Sequence, residues 1–146
     1  MVEFQHIVVV NKPVNEVFEY MADFRNNPKW SPDIAEVTKT SSAPMIGMGT
    51  TWRQVVVVRN RKLPYDLTVD EFEGNRMYRF KGVGSALDYQ VTCRFDADAG
   101  GTKVSIAVSG NVKGVAKLFR GAVERSFREA ITKSADNLRK VLESKG

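Results

Sequence analysis

Between Ile34 and Lys113 apolar residues recur at every second position, and from Gly114 onward they recur at helical spacing. This change of period constrains the fold more than any other feature of the chain. Leu87, Tyr89, Val91, Cys93 and Phe95 alternate with Asp88, Gln90, Thr92 and Arg94; Val104, Ile106 and Val108 alternate with Lys103, Ser105 and Ser109. Such alternation describes strands with one buried and one wet face. Strands are expected near 34–41, 49–60, 63–73, 76–82, 86–96 and 102–112, with turns at Asn60-Arg61, Glu73-Gly74-Asn75, Gly82-Val83-Gly84 and Ala99-Gly100-Gly101. Connections this short make an antiparallel meander. Beyond Gly114 there is no proline. Val115, Leu118, Phe119, Ala122, Val123, Phe127, Ala130, Ile131, Ala135, Leu138, Val141 and Leu142 form a continuous apolar stripe, read as a single long helix running to the chain's end.

The first residues complete the pattern. Glu3 to Val10 reads as a strand ending in the β-branched run Ile7-Val8-Val9-Val10. Val14, Val17, Phe18 and Met21 follow at the spacing of an amphipathic helix, with Pro13 at its first position and Asn26, Asn27 and Pro28 as its stop. The resulting order is strand, helix, short helix, six strands, long helix. A long meander must curl because sheets twist, and one apolar helix must cover its concave face. A curved sheet and a straight helix cannot touch along their whole length. The expected consequence is an apolar cavity between them, with the segment around Trp30 at its opening.

The 146 residues suggest one domain spanning 1–146, enough to build one core. No apolar run is long enough for a transmembrane helix, and MVEFQHIVVV, with Glu3 and no basic n-region, does not read as a signal peptide. Cys93 is the only cysteine, which precludes an internal disulfide and fits a reducing cytoplasm. The net charge of +5 is segregated: residues 111–146 hold nine Lys/Arg against four Asp/Glu, whereas residues 1–110 hold thirteen of each. This reads as a solvated helix face, or alternatively as a surface for nucleic acid or an anionic membrane.

Catalytic signals are sparse. His6 is the only histidine and reads as an ordinary strand residue. One His and one Cys leave only carboxylates to complete a metal site, so no metal and no cofactor are expected. The glycines of "GMG" (47–49) and "GVG" (82–84) open no helix and so make no phosphate loop. Asp66, Asp70, Glu71 and Glu73 read as a solvent-facing cluster opposite Tyr65, Leu67 and Val69. On the strand 49–60, Arg53 and Arg59 are turned outward, which sends Trp52, Gln54, Val56 and Val58 inward. The candidate lining then comprises Trp52, Tyr65, Tyr78, Phe80 and Tyr89 from the sheet, and Phe119, Val123 and Phe127 from the helix. Gln54, Ser126 and the tyrosine hydroxyls could orient a ligand.

The stretch "NKPVNEVFEYMADFRNNPKWSPDI" carries Pro13, Val17-Phe18, Asp23, Pro28, Trp30 and Pro32, and glycine turns stand at "GMGT" (47–50) and "GGTKV" (100–104). In these residues and in element order the whole chain resembles the START/Bet v 1-like (SRPBCC) superfamily, and in particular its bacterial polyketide cyclase/dehydrase and lipid-transport branch. The resemblance implies an α+β helix-grip fold, in which about seven antiparallel strands curve round a long C-terminal helix and two short helices follow strand 1. It implies that Trp30 anchors those short helices with its indole N–H near the polar rim, or else touches ligand. It also implies three functions to weigh. The favoured one is binding or transport of a hydrophobic small molecule, such as a lipid or polyketide-like aromatic. The others are an enzyme of the cyclase, aromatase or dehydratase kind, and a partner protein of ribosomes or quinone metabolism acting through the basic helix.

Overall fold

The structure, a computed structural model, describes residues 2–144. Seven strands form: β1 (Val2–Val10), β2 (Ile34–Lys39), β3 (Thr51–Val58), β4 (Arg61–Glu73), β5 (Met77–Val83), β6 (Leu87–Asp98) and β7 (Gly101–Val112). They make one sheet in the order β1-β7-β6-β5-β4-β3-β2, and every neighbouring pair is antiparallel. β1 and β2 are therefore the two edges. The chain between them carries helix α1 (Val14–Ala22), a 3-10 turn (Phe24–Asn26) and the one-turn helix α2 (Asn27–Trp30). A 3-10 segment (Gly114–Phe119) and helix α3 (Arg120–Glu143) follow β7. This is the helix-grip fold.

The core lies at one end of the sheet's concave face. There Val17, Phe18, Met21 and Phe24 from the α1 segment are buried against Val69, Tyr78, Phe95 and Val104. Phe18 meets Phe95 edge-on at 5.0 Å, and Phe24 stacks on Trp52 at 5.4 Å. Edge-on and offset pairs of this kind add about 0.5–1.5 kcal/mol beyond their burial. Asp23 ends α1 three residues before the expected stop: its carboxylate accepts from the backbone N–H of Arg25 and from the Arg25 guanidinium.

Helix α3 is held by its C-terminal half alone. Ser134, Ala135, Leu138 and Leu142 are its buried residues among those described, and none of residues 120–133 is buried. Each fully buried leucine contributes about 1.5–3 kcal/mol, so Leu138 and Leu142 fix the helix while its first half stands away from the sheet.

Four expectations are corrected. The apolar stripe from Gly114 is not one α-helix: it opens in 3-10 geometry, and Val115, Leu118 and Phe119 are 85%, 82% and 68% exposed. Of the apolar residues in that 3-10 segment only Ala116 packs against the core, and no side chain caps either helical start. The continuation of the helix through 145–146 lies outside the described residues. The β3–β4 turn is Arg59-Asn60 rather than Asn60-Arg61, with both residues left-handed (φ 51° and 65°) as a two-residue hairpin of this twist requires. In β4 a register shift between Val69 and Glu71 reverses the alternation. It turns Phe72 inward against Phe18 at 5.4 Å and leaves Glu71 and Glu73 exposed. Asp70, at the shift, is half-buried and takes two bonds from Arg79, of 2.9 and 3.2 Å. Finally, Gly82 belongs to β5 and not to a turn. A Cβ there would stand 2.5 Å from the Tyr89 ring, and one at Gly84 would stand 2.4 Å from the Tyr65 ring. These two glycines leave room for the Tyr89 ring over β5 and for the Tyr65 ring just beyond its end.

Candidate ligand cavity

Where α3 stands off the sheet, a cavity of about 670 Å³ opens. Small-molecule sites typically span about 300–1,000 Å³. Its floor is the sheet: Tyr65, Tyr78, Phe80, Tyr89, Val91 and Cys93. Its cover is α3, through Val123, Ser126, Phe127, Ala130 and Ile131, with Phe119 at the exposed margin. Its side wall is α2 with the start of β2, through Asn27, Trp30, Ser31 and Ile34.

Ten of the candidate residues read from sequence thus face one space: Trp30, Gln54, Tyr65, Tyr78, Phe80, Tyr89, Phe119, Val123, Ser126 and Phe127. Trp52 does not. It is 1% exposed and stacks behind the wall against Phe24, which takes the lining position instead. The floor is continuous aromatic surface, with Tyr65 meeting Tyr89 at 5.4 Å and Tyr89 meeting Phe127 across the gap at 5.1 Å. Phe127 also meets Phe4 of β1 at 6.1 Å, which props that side of the helix.

The inner surface carries no charge at neutral pH from its phenols and thiol. Burial raises Tyr65, Tyr78 and Tyr89 above the usual phenol range and pushes the Cys93 thiol up to about 12. Burial of an ionised group in an apolar site disfavours its charged form. Away from the mouth, neutral polar groups gather on the α2 side. Asn27 Nδ2 donates to Gln54 Oε1 at 3.2 Å, and the Ser31 and Ser134 hydroxyls share a bond of 2.6 Å. The Trp30 carbonyl accepts from Asn137 Nδ2 at 3.0 Å, which ties α2 to α3. The Trp30 indole nitrogen is not on the wet rim that the motif implies; it is buried, with no hydrogen-bond partner among the described residues.

Sequence reasoning missed three groups. Arg59, read as facing away, lines the cavity mouth with Arg61 and Asp33. The left-handed hairpin turn swings Arg59 out of the strand's alternation, and neither arginine is ion-paired among the described residues. Asn27, read only as part of the helix stop, and Ser31, given no role, lie on either side of Trp30 in sequence. Ser134 pairs with Ser31 across 103 positions, a contact that no local pattern signals. His6 lies outside the cavity lining, with Nε2 3.7 Å from Asp136 Oδ1. Among the described residues no three His, Cys, Asp or Glu side chains gather where they could hold a metal ion.

A seven-stranded sheet curved over a long C-terminal helix, with an apolar cavity between them, defines the START/Bet v 1-like class. The chain belongs to the polyketide cyclase / dehydrase and lipid transport family, which it matches over residues 1–143. Solved structures agree on the fold. A Thermus thermophilus protein is similar with a TM-score of 0.83 at 18% identity, covering 99% of both chains. A START superfamily protein of Mycobacterium smegmatis is similar at 0.82 and 14%, covering 100% of both. The Zhui aromatase/cyclase of a Streptomyces species is similar at 0.71 and 16%, covering 95% of this chain and 94% of that one. No curated protein matches the chain in sequence. No helix among the described residues is long and apolar enough to cross a membrane.

Proposed function

We propose that the protein, as one domain, binds a hydrophobic small molecule, of lipid or polyketide-like aromatic character, between the sheet and the first half of α3. The observation that carries this reading is the cavity itself: about 670 Å³ of largely aromatic and aliphatic surface, in a chain of this size where side chains would otherwise pack to crystal-like density. An α3 that closed on the sheet would bury Val123, Phe127 and Ile131 and gain hydrophobic stabilisation; the structure leaves all three half-exposed. Uncharged phenols and a protonated thiol suit retention of an apolar molecule, and the family includes lipid transport. The two mouth arginines add preference for an anionic end, such as a carboxylate, at the solvent side. The reduced, buried Cys93 agrees with a cytoplasmic setting.

The test is direct. Protein purified under native conditions is extracted with organic solvent and the extract weighed by mass spectrometry, and delipidated protein is titrated with cis-parinaric acid, an intrinsically fluorescent fatty acid. A near-stoichiometric apolar molecule in the extract, or saturable uptake of the probe, is the expected result. An empty extract together with no uptake overturns the reading.

A further inference from the structure

The segment that follows β7 turns large apolar side chains to solvent. Val115 and Leu118 are three residues apart, the spacing that puts two side chains on one side of a 3-10 helix, and Phe119 comes next; all three are exposed. A group of exposed large apolar side chains marks a site of association with a partner or a membrane. Lys117 and Arg120 are interleaved with them in sequence, and Arg125 follows within the first turns of α3. These three cations are exposed, and none is ion-paired among the described residues. Over residues 113–128 five Lys/Arg stand against a single Glu. The segment also borders the cavity. The Lys113 backbone N–H donates to the Ala86 carbonyl at 2.8 Å and Ala86 lines the cavity, so the chain leaves β7 at the cavity's rim. Phe119 lines the cavity while remaining exposed.

We propose that residues 115–125 dock the protein on an anionic lipid bilayer. Val115, Leu118 and Phe119 enter the boundary between headgroups and acyl chains, and Lys117, Arg120 and Arg125 meet the lipid phosphates. Surface-bound amphipathic segments work in this way, by burying apolar side chains just below the headgroups while cations draw in anionic lipid. The two other occupants of such a surface fit less well. A second copy related by a two-fold axis would set the patch against itself and bring its like charges together. Nucleic acid would answer the cations through its phosphates but leave the aliphatic Val115 and Leu118 without an apolar phase. Docked as proposed, the protein holds the rim of its cavity at the acyl boundary, so that an apolar guest passes between bilayer and cavity without crossing water. That consequence rests on the ligand-binding reading; the docking does not.

Vesicle co-sedimentation tests the docking. The protein is mixed with vesicles of phosphatidylcholine alone or of equimolar phosphatidylcholine and phosphatidylglycerol. The expected result is binding to the mixed vesicles and little to the neutral ones, weakening as salt rises from about 0.1 M to about 1 M and the screening length falls from about 10 to about 3 Å. The double variant Lys117→Glu with Arg120→Glu should lose roughly 25-fold or more, at about fivefold per cation. The double variant Val115→Ser with Leu118→Ser keeps every charge and should lose roughly tenfold. Neither Val115 nor Leu118 lines the cavity, so this second variant should take up cis-parinaric acid in vesicle-free buffer as the wild type does. Thermal melts report folding, which these exposed positions should leave intact. A wild type that sediments with neither vesicle overturns the docking and leaves the cavity reading standing. Binding that both folded variants retain overturns it too, because another surface is then responsible. Binding lost only in the charge-reversed variant, and competed away by duplex DNA, reduces the segment to a polyanion surface and also overturns it. Vesicle binding without any uptake of cis-parinaric acid upholds the docking and overturns the ligand-binding reading instead.

Discussion

Asp70 shows how one residue reads differently once its strand is built. In a run of acidic positions it looks like part of a wet face. In the fold it sits at the β4 register shift, accepting two bonds from Arg79 with Lys81 at 3.6 Å. The bonds from Arg79 hold its carboxyl below the usual carboxylate range. A carboxyl whose folded pKa is depressed contributes stability above its unfolded pKa of about 4, and that contribution is lost as pH falls through the lower folded value. Asp70→Asn should therefore lower stability at pH 7, by at most about 1 kcal/mol because water screens the pair. The difference from wild type should shrink as pH is taken from 5 to 3. Urea melts of both proteins across that range provide the check, and a penalty that stays constant with pH would assign the loss to packing instead of charge.

At the scale of elements, the cavity is made by what each strand and helix declines to fill. β5 contributes Gly82, and Gly84 follows just after its end, so the rings of Tyr89 and Tyr65 find room there. Gly82→Ala would place a methyl 2.5 Å from the Tyr89 ring. The ring has one soft direction, into the cavity it already lines. The expected cost is toward the low end of the about 1–3 kcal/mol that overpacking incurs, together with weaker uptake of cis-parinaric acid. A severe loss of stability with unchanged uptake would show that the ring moves elsewhere. Much of this architecture is legible in the sequence, because alternation in Leu87–Phe95 and Val104–Val108 is local and strong. The inward phase of Gln54 follows from that logic too. The register shift at Asp70, the left-handed Arg59 and the pairing of Ser31 with Ser134 are not legible. Each depends on a neighbouring strand or a distant helix, so no periodicity within the segment records it. The 3-10 start at Gly114 is hidden for a related reason: its apolar residues have the helical spacing, but Val115, Leu118 and Phe119 stay exposed.

The whole molecule divides into an anchored end and an open one. α1, the 3-10 turn after it and the last two turns of α3 pack the concave face solidly, with Phe24, Leu138 and Leu142 almost fully buried. The first half of α3 spans space instead of core, and the same sheet serves both ends. Val123 tests this division because it lies on the cover and is only half-buried. In a solid core, Val→Phe inserts several atoms where none fit and costs about 1–3 kcal/mol or more. At Val123 the added ring would enter the cavity and gain contact with the aromatic floor around Tyr89. Val123→Phe should therefore cost under about 1 kcal/mol, a shift in Tm of no more than roughly 2–4 °C for a chain of this length, and could raise it. Uptake of cis-parinaric acid should weaken at least severalfold, since the ring occupies volume that the probe needs. The signature is the combination: stability nearly kept, capacity reduced. A strongly destabilised variant beside a wild type that takes up no probe would mean that α3 closes on the sheet in solution. Thermal melts and probe titrations on the two proteins decide the matter, because a packed core and a ligand cavity predict opposite signs for the trade between stability and capacity.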